Sequence, residues 1–296
     1  MTRVLTSLIV GVLVFLACPV SGHELQVVTT FSILEDLVQQ VGGERVAVNS
    51  LIARGADPHT WEPTPREARM VAQADLLVAN GGGFDDWLLR LVENAAKQDT
   101  PLVMASQGLE AIEHDHDHDD AHHHEGDPHF WLSVPNAIYY VEQITQALTT
   151  LSPGDTAYFQ ERSSKYVREL VELDRWMVEE LGAIPEGNRV IVTYHSAFSY
   201  LAERYGFTVA EFLVVNPDSE PSPRELARLV DLLKGLSNRS VFTEPQLSSG
   251  TRYMQTLAGE TGGKLYTLYS DSLSAEIPTY VAMMKYNTLT LLEALK

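Results

Sequence analysis

At 296 residues the chain is long enough for two lobes that each bury a core, and with 45% apolar and 21% charged residues it has the make-up of a folded protein. Its 40 acidic against 21 basic residues give a formal charge of −19, which argues against nucleic acid or an anionic membrane surface as partner and suits the attraction of cations. Cys18 is the single cysteine, so the chain beyond it has no thiol for a disulfide, a redox step or a metal, and any metal chemistry there must use nitrogen and oxygen.

Residues 1–22 place Arg3 ahead of an apolar segment over 8–17, which has the length of a signal-peptide core and is too short for a membrane span. They are expected to be an export leader removed after Val20-Ser21-Gly22, delivering the protein to the periplasm. Leu16-Ala17-Cys18 loosely resembles a bacterial lipoprotein box, but Phe15 and Leu16 fit it poorly, so a lipid anchor on Cys18 is the lesser reading.

From His23 short β-rich runs alternate with helical ones: a run over 25–30, an amphipathic stretch over 33–41, then runs over 46–51, 75–79 and 101–104, with a helix predicted over 84–96. A second set follows at 189–193, 207–209, 240–243 and 264–268, again with helices between. The alternation predicts βαβ units and mainly parallel sheets. The fold class is therefore α/β, in two lobes. Between them a helical pattern starts at Ser152-Pro153, with serine able to cap and proline suited to the first turn, and runs to Leu181-Gly182. Phe159, Tyr166, Leu170, Leu173, Met177 and Leu181 recur along one face; at 1.5 Å per residue the helix would reach roughly 40 Å, as a strut or as an ordinary packed helix. The predicted boundaries are a leader over 1–22, a first lobe over 23–152, the linking helix over 153–182 and a second lobe over 183–296.

Residues 113–127 read EHDHDHDDAHHHEGD, with six histidines, seven acids and Ala121 as the one core-forming type. Such a segment builds no core and is predicted to be a mobile loop. His114, His116, His118, His122, His123 and His124 are candidate weak metal ligands, or a solvated polyelectrolyte with incidental affinity. His116-x-His118-x-Asp120 opens like a metallohydrolase signature, but Ala121 stands where the next histidine belongs.

Three histidines stand outside the loop and the N-terminal edge: His59 in Asp57-Pro58-His59-Thr60, His129 in Asp127-Pro128-His129-Phe130-Trp131, and His195 closing a β-run in Thr193-Tyr194-His195-Ser196. Ligands of open α/β sheets sit beyond the carboxyl ends of strands, where His59, His195 and also Asp271, in Tyr269-Ser270-Asp271-Ser272, would project. The prolines stiffen the backbone just before two of these residues.

These motifs, with Glu62-Pro63, Tyr205-Gly206 and Thr243-Glu244-Pro245-Gln246, occur in the order found in the zinc- and manganese-binding solute-binding proteins of bacterial ABC importers, and the resemblance spans essentially the whole mature chain. It implies two α/β lobes joined by one rigid helix, with the metal in the cleft between them and limited motion on binding. His59, His129, His195 and Asp271 carry over as the ligands, and manganese members tend to place glutamate where this chain has His195. Three imidazoles and one carboxylate favour Zn²⁺ on independent grounds, because manganese prefers more oxygen donors. Four protein ligands leave no open position for an activated water, so the site is expected to hold zinc without catalysis. Glu62 or Glu244 would accept the second imidazole N–H of a ligand. The expected partners are an importer permease and, for loading, a periplasmic zinc metallochaperone, with the protein acting as a monomer. Two other readings are a secreted zinc buffer or adhesion protein of the same fold, and a secreted zinc hydrolase, against which the absence of His-Glu-x-x-His speaks.

Overall fold

The computed structural model describes residues 24–97, 99–113, 126–214, 217 and 219–296; the leader, Cys18 and all six loop histidines lie outside them. Eight strands and nine α-helices are found among the described residues. The first lobe runs β1 (Leu25–Thr29), α1 (Ser32–Gly42), β2 (Val46–Ser50), α2 (Pro65–Gln73), β3 (Leu76–Ala79), α3 (Trp87–Ala95), β4 (Leu102–Met104) and α4 (Val134–Leu151). Next comes α5 (Thr156–Gly182), and then the second lobe: β5 (Val190–His195), α6 (Ser199–Tyr205), β6 (Thr208–Val214), α7 (Pro223–Gly235), β7 (Val241–Thr243), α8 (Ser248–Thr261), β8 (Leu265–Thr267) and α9 (Tyr280–Leu295).

Each lobe holds one four-stranded, all-parallel sheet, in the orders β2-β1-β3-β4 and β6-β5-β7-β8. Both sheets thus reverse direction of winding once, between β1 and β3 and between β5 and β7, which opens a crevice at their carboxyl ends. The inner strand β3 is apolar without alternation, as expected for a strand covered on both faces, and all of Leu76–Ala79 is buried. Local chemistry sets several boundaries. Thr64 and Glu67 form a reciprocal capping box at α2, as do Ser222 and Glu225 at α7, each followed by proline in the first turn.

The helix expected from residue 84 begins instead at Trp87. Gly81, Gly82 and Gly83 all take positive φ (85°, 60° and 81°), a conformation that glycine tolerates and that carries the chain out of β3 as a tight loop. Buried Asp85 holds that loop, accepting from the backbone N–H of Asn80 (2.5 Å) and Gly81 (2.9 Å) and from the Thr30 hydroxyl (2.8 Å). At the linking helix, Pro153–Asp155 forms a 3₁₀ turn before α5. The 27 residues of α5 bury Phe159, Tyr166, Leu170, Leu173, Met177 and Leu181. Its partners are α1 and α4 on one side of the molecule and α6 and α9 on the other.

The lobes are also stitched directly. After β8 the chain returns to the first lobe: the Leu273 N–H donates to Ser32 Oγ (2.9 Å), the Gly55 N–H to the Leu273 carbonyl (2.9 Å), and the Tyr280 N–H to Asp36 Oδ2 (2.7 Å). The largest apolar core accordingly runs from Val27 and Leu37 through Trp131 and Met177 to Phe242 and Met284. A shared core of this kind resists opening of the lobes about α5 alone.

Candidate metal centre

The two Asp-Pro-His segments use one device. In each, the aspartate accepts the backbone N–H of the histidine two residues on, Asp57 from His59 (3.0 Å) and Asp127 from His129 (2.9 Å), while the intervening proline fixes φ. At the second, the same Asp127 oxygen lies 2.7 Å from His129 Nδ1, which turns Nε2 toward the cleft. His195 is the last residue of β5, and its Nδ1 meets the carboxylate of Glu244, just past β7. A histidine whose Nδ1 is held by a carboxylate presents Nε2 as the electron pair for a metal.

The three Nε2 atoms converge on Asp271, which follows β8. His59 and His195 stand 3.3 Å and 3.4 Å from Oδ2, and His129 stands 3.5 Å from Oδ1. One donor atom from each of the four residues fits within 4.8 Å of the others. Zinc bound at about 2.0 to 2.2 Å has donors separated by roughly 3.3 to 3.6 Å, so small side-chain shifts would close this cluster around a tetrahedral ion. The three Nε2 atoms and Asp271 Oδ1 are buried and have no hydrogen-bond partner, which leaves four donor atoms facing one another and able to hold a metal ion. Phe84 walls the cluster, with its ring centroid 5.4 Å from His59 and 5.9 Å from His129, and Trp131 packs 5.3 Å from His129. Of the four side chains, His59 is 14% exposed and the others at most 3%, so the cluster opens to solvent on the His59 side.

Burial disfavours a charged imidazole at His195, but the Glu244 and Asp271 carboxylates outweigh it and raise the group well above the ordinary histidine value. At Asp271 burial pushes upward, and the nearby imidazoles, His195 and His129 foremost, outweigh it by their charge and hold the carboxyl well below its ordinary range. Asp271 is thus ready to ligate, whereas His195 must first give up a proton. Metal capture near neutral pH is therefore expected to release protons, and affinity should still be climbing with pH above about 6.5, where an ordinary histidine is already neutral. Calorimetry in buffers of differing ionisation enthalpy measures this; an affinity flat from about pH 8 to about 5.5 would contradict histidine ligation.

All four candidate ligands and Glu244 therefore meet in one place. Glu62 does not join them: it is exposed, on the stretch that leads to the Thr64 cap. Sequence reasoning missed Asp127, Gln246 and Trp131. The first was visible as an acid two residues before each Asp-Pro-His histidine, and the second as a neighbour of Glu244. Trp131 donates its indole N–H to the Ser270 carbonyl (2.7 Å), a contact between the lobes that no local pattern encodes.

Two parallel-sheet α/β lobes with a buried donor cluster between them define a binding protein whose ligand is a metal ion. The chain belongs to the family described as zinc-uptake complex component A, periplasmic (ZnuA), which it matches over residues 27–294. The manganese-binding lipoprotein MntA of Halalkalibacterium halodurans is 33% identical over 279 residues, covering 93% of this chain and 89% of the relative. PsaA of Streptococcus pneumoniae, a manganese ABC transporter substrate-binding lipoprotein, is 30% identical over 276 residues, covering 90% and 88%. The periplasmic zinc-binding protein TroA of Treponema pallidum superposes with a TM-score of 0.82 at 25% identity, covering 92% of this chain and 99% of that one. This protein is accordingly a metal-binding substrate-binding component of an ABC importer, a class that works beside a permease and an ATPase and is not enzymatic.

Proposed function

We propose that this protein captures Zn²⁺ with His59, His129, His195 and Asp271 and delivers it to the permease of an ABC-type importer, after export by the leader over 1–22. The observation that carries the reading is the convergence of three unpartnered imidazole nitrogens on one buried carboxylate. The relatives divide on the metal, since MntA and PsaA are named for manganese and TroA for zinc. The donor set favours zinc, because three nitrogens and one oxygen suit a tetrahedral borderline ion and leave manganese short of oxygen donors. The relatives named as lipoproteins bring Cys18 into play as an anchor, and the N-terminal mass of exported protein separates an acylated Cys18 from a free His23.

The histidine-rich segment is read as an accessory that concentrates cations near the cleft. Its two ends are drawn together: the Asp127 N–H donates to the Ile112 carbonyl (2.8 Å), and the Tyr200 hydroxyl bridges the Ile112 N–H (3.1 Å) and the Asp127 carbonyl (2.7 Å). Deleting residues 113–125 is therefore expected to leave one tight equivalent of zinc intact while slowing capture and removing weak equivalents. Zinc K-edge absorption of the loaded deletion protein tests the whole reading. The expected result is a first shell of four light donors with imidazole scattering; a shell of six oxygens, or loss of the tight equivalent, would refute it.

A further inference from the structure

We propose that Gln246 is a positioning residue that ties up one oxygen of Asp271, leaving the other as the single carboxylate donor and so holding the site to four-coordinate, zinc-type binding. The inference rests on the four-residue site proposed above and goes on to say what sets its selectivity.

Gln246 follows β7, separated from Glu244 by Pro245 alone. Its Nε2 donates to Ser270 Oγ (2.9 Å) and to Asp271 Oδ2 (3.3 Å). Ser270 Oγ in turn donates to Glu244 Oε2 (3.2 Å), the oxygen that meets His195 Nδ1, and His195 Nε2 faces Asp271 Oδ2 across 3.4 Å. Gln246, Ser270, Glu244, His195 and Asp271 thus form a closed ring of polar contacts, with two candidate ligands in it and one amide joining them. The orientation of that amide is dictated by its neighbour: an ionised carboxylate only accepts, so the N–H side must face it, and Gln246 Oε1 is left buried without a partner.

The two Asp271 oxygens are consequently unequal. Oδ2 has a hydrogen-bond donor and Oδ1 has none. A carboxylate can hold an ion through one oxygen or both, and the second mode adds an oxygen donor of the kind manganese requires and zinc does without. With one lone pair of Oδ2 engaged by Gln246, that oxygen is the weaker donor, and chelation through both oxygens must pull it against the Gln246 bond. Gln246 therefore penalises the higher coordination number, and through Ser270 and Glu244 it also steadies the imidazole of His195.

The test uses protein lacking residues 113–125 with Gln246→Met, which keeps shape and loses the N–H, and with Gln246→Glu, which sets a second carboxylate beside Asp271. Zinc and manganese affinities and the visible spectrum of the Co²⁺-loaded protein are measured for each. Both variants should lower the zinc-to-manganese affinity ratio by roughly 10-fold or more, the scale of outer-shell losses, and weaken the intense Co²⁺ bands of a four-coordinate site. Gln246→Glu lies at a half-exposed position and reports even if Gln246→Met fails to fold. An unchanged ratio and spectrum in the folded variants would overturn the role of Gln246 alone. A parent protein that keeps its tight ion after His195→Ala would instead overturn the four-residue site.

Discussion

Replacing His195 by alanine, in protein lacking residues 113–125, is expected to lower zinc affinity by well over 100-fold. The loss exceeds the roughly 10- to 100-fold typical of outer-shell partners because a donor atom itself is removed. Two further effects act in the same direction. Glu244 loses the imidazole that its carboxylate meets, and Asp271 Oδ2 loses one of the two imidazole nitrogens that flank it, so two buried acids are left less compensated. The loop deletion matters to the design, since its histidines could otherwise supply a replacement donor. Competition against a chelator of known affinity measures the change, with circular dichroism confirming that the variant is folded. A loss under 10-fold would place the tight site elsewhere.

The second large effect is expected at Trp131. Its side chain is fully buried among Phe31 (ring centroids 4.8 Å apart), Phe84 (5.0 Å) and His129 (5.3 Å), and its indole N–H reaches across to the Ser270 carbonyl. Truncation to alanine leaves a cavity at the join between the lobes, at a cost of about 3–5 kcal/mol. The unfolding midpoint should fall on the order of 10 °C, given about 2–4 °C per kcal/mol for a domain of this size class. Because Ser270 immediately precedes Asp271, zinc affinity should fall as well. Trp131→Phe, which keeps most of the apolar volume and strands one acceptor, should lose only about 1–3 kcal/mol. Equal melting temperatures for the alanine variant and the parent would show that this join contributes nothing to stability.

Much of the fold could be read from alternation alone, because a parallel sheet covered on both faces needs continuous apolar strands separated by helices. Strand order could not, since the pairing of β1 with both β2 and β3 is a long-range choice that no local window records. The start of α3 was misplaced because the Gly81–Gly83 backbone takes positive φ, and only the buried Asp85 carboxylate explains why the turn persists. In the site, position beyond a strand end pointed to His59, His195 and Asp271, the repeated Asp-Pro-His pointed to His129, and the resemblance to the metal-binding family carried the four over together as candidate ligands. The role of Asp127 stayed hidden because Asp-Pro also opens ordinary turns; here the same oxygen closes the turn and meets the ring nitrogen. Glu62 drew attention by its closeness to His59 in sequence, but the chain carries it outward ahead of the α2 cap. The hydrogen bonds from residues 273 and 280 back to α1 join residues more than 200 positions apart, beyond the reach of any periodicity argument.

The most direct test of the central claim is a competition titration of Zn²⁺ and Mn²⁺ against the apo-protein lacking residues 113–125. Three imidazoles and one carboxylate should bind a single equivalent of zinc tightly and manganese more weakly, with at least a 10-fold separation, the scale a distinct donor preference should produce. Manganese binding equal to or tighter than zinc, or no tight equivalent of either ion, would contradict the account.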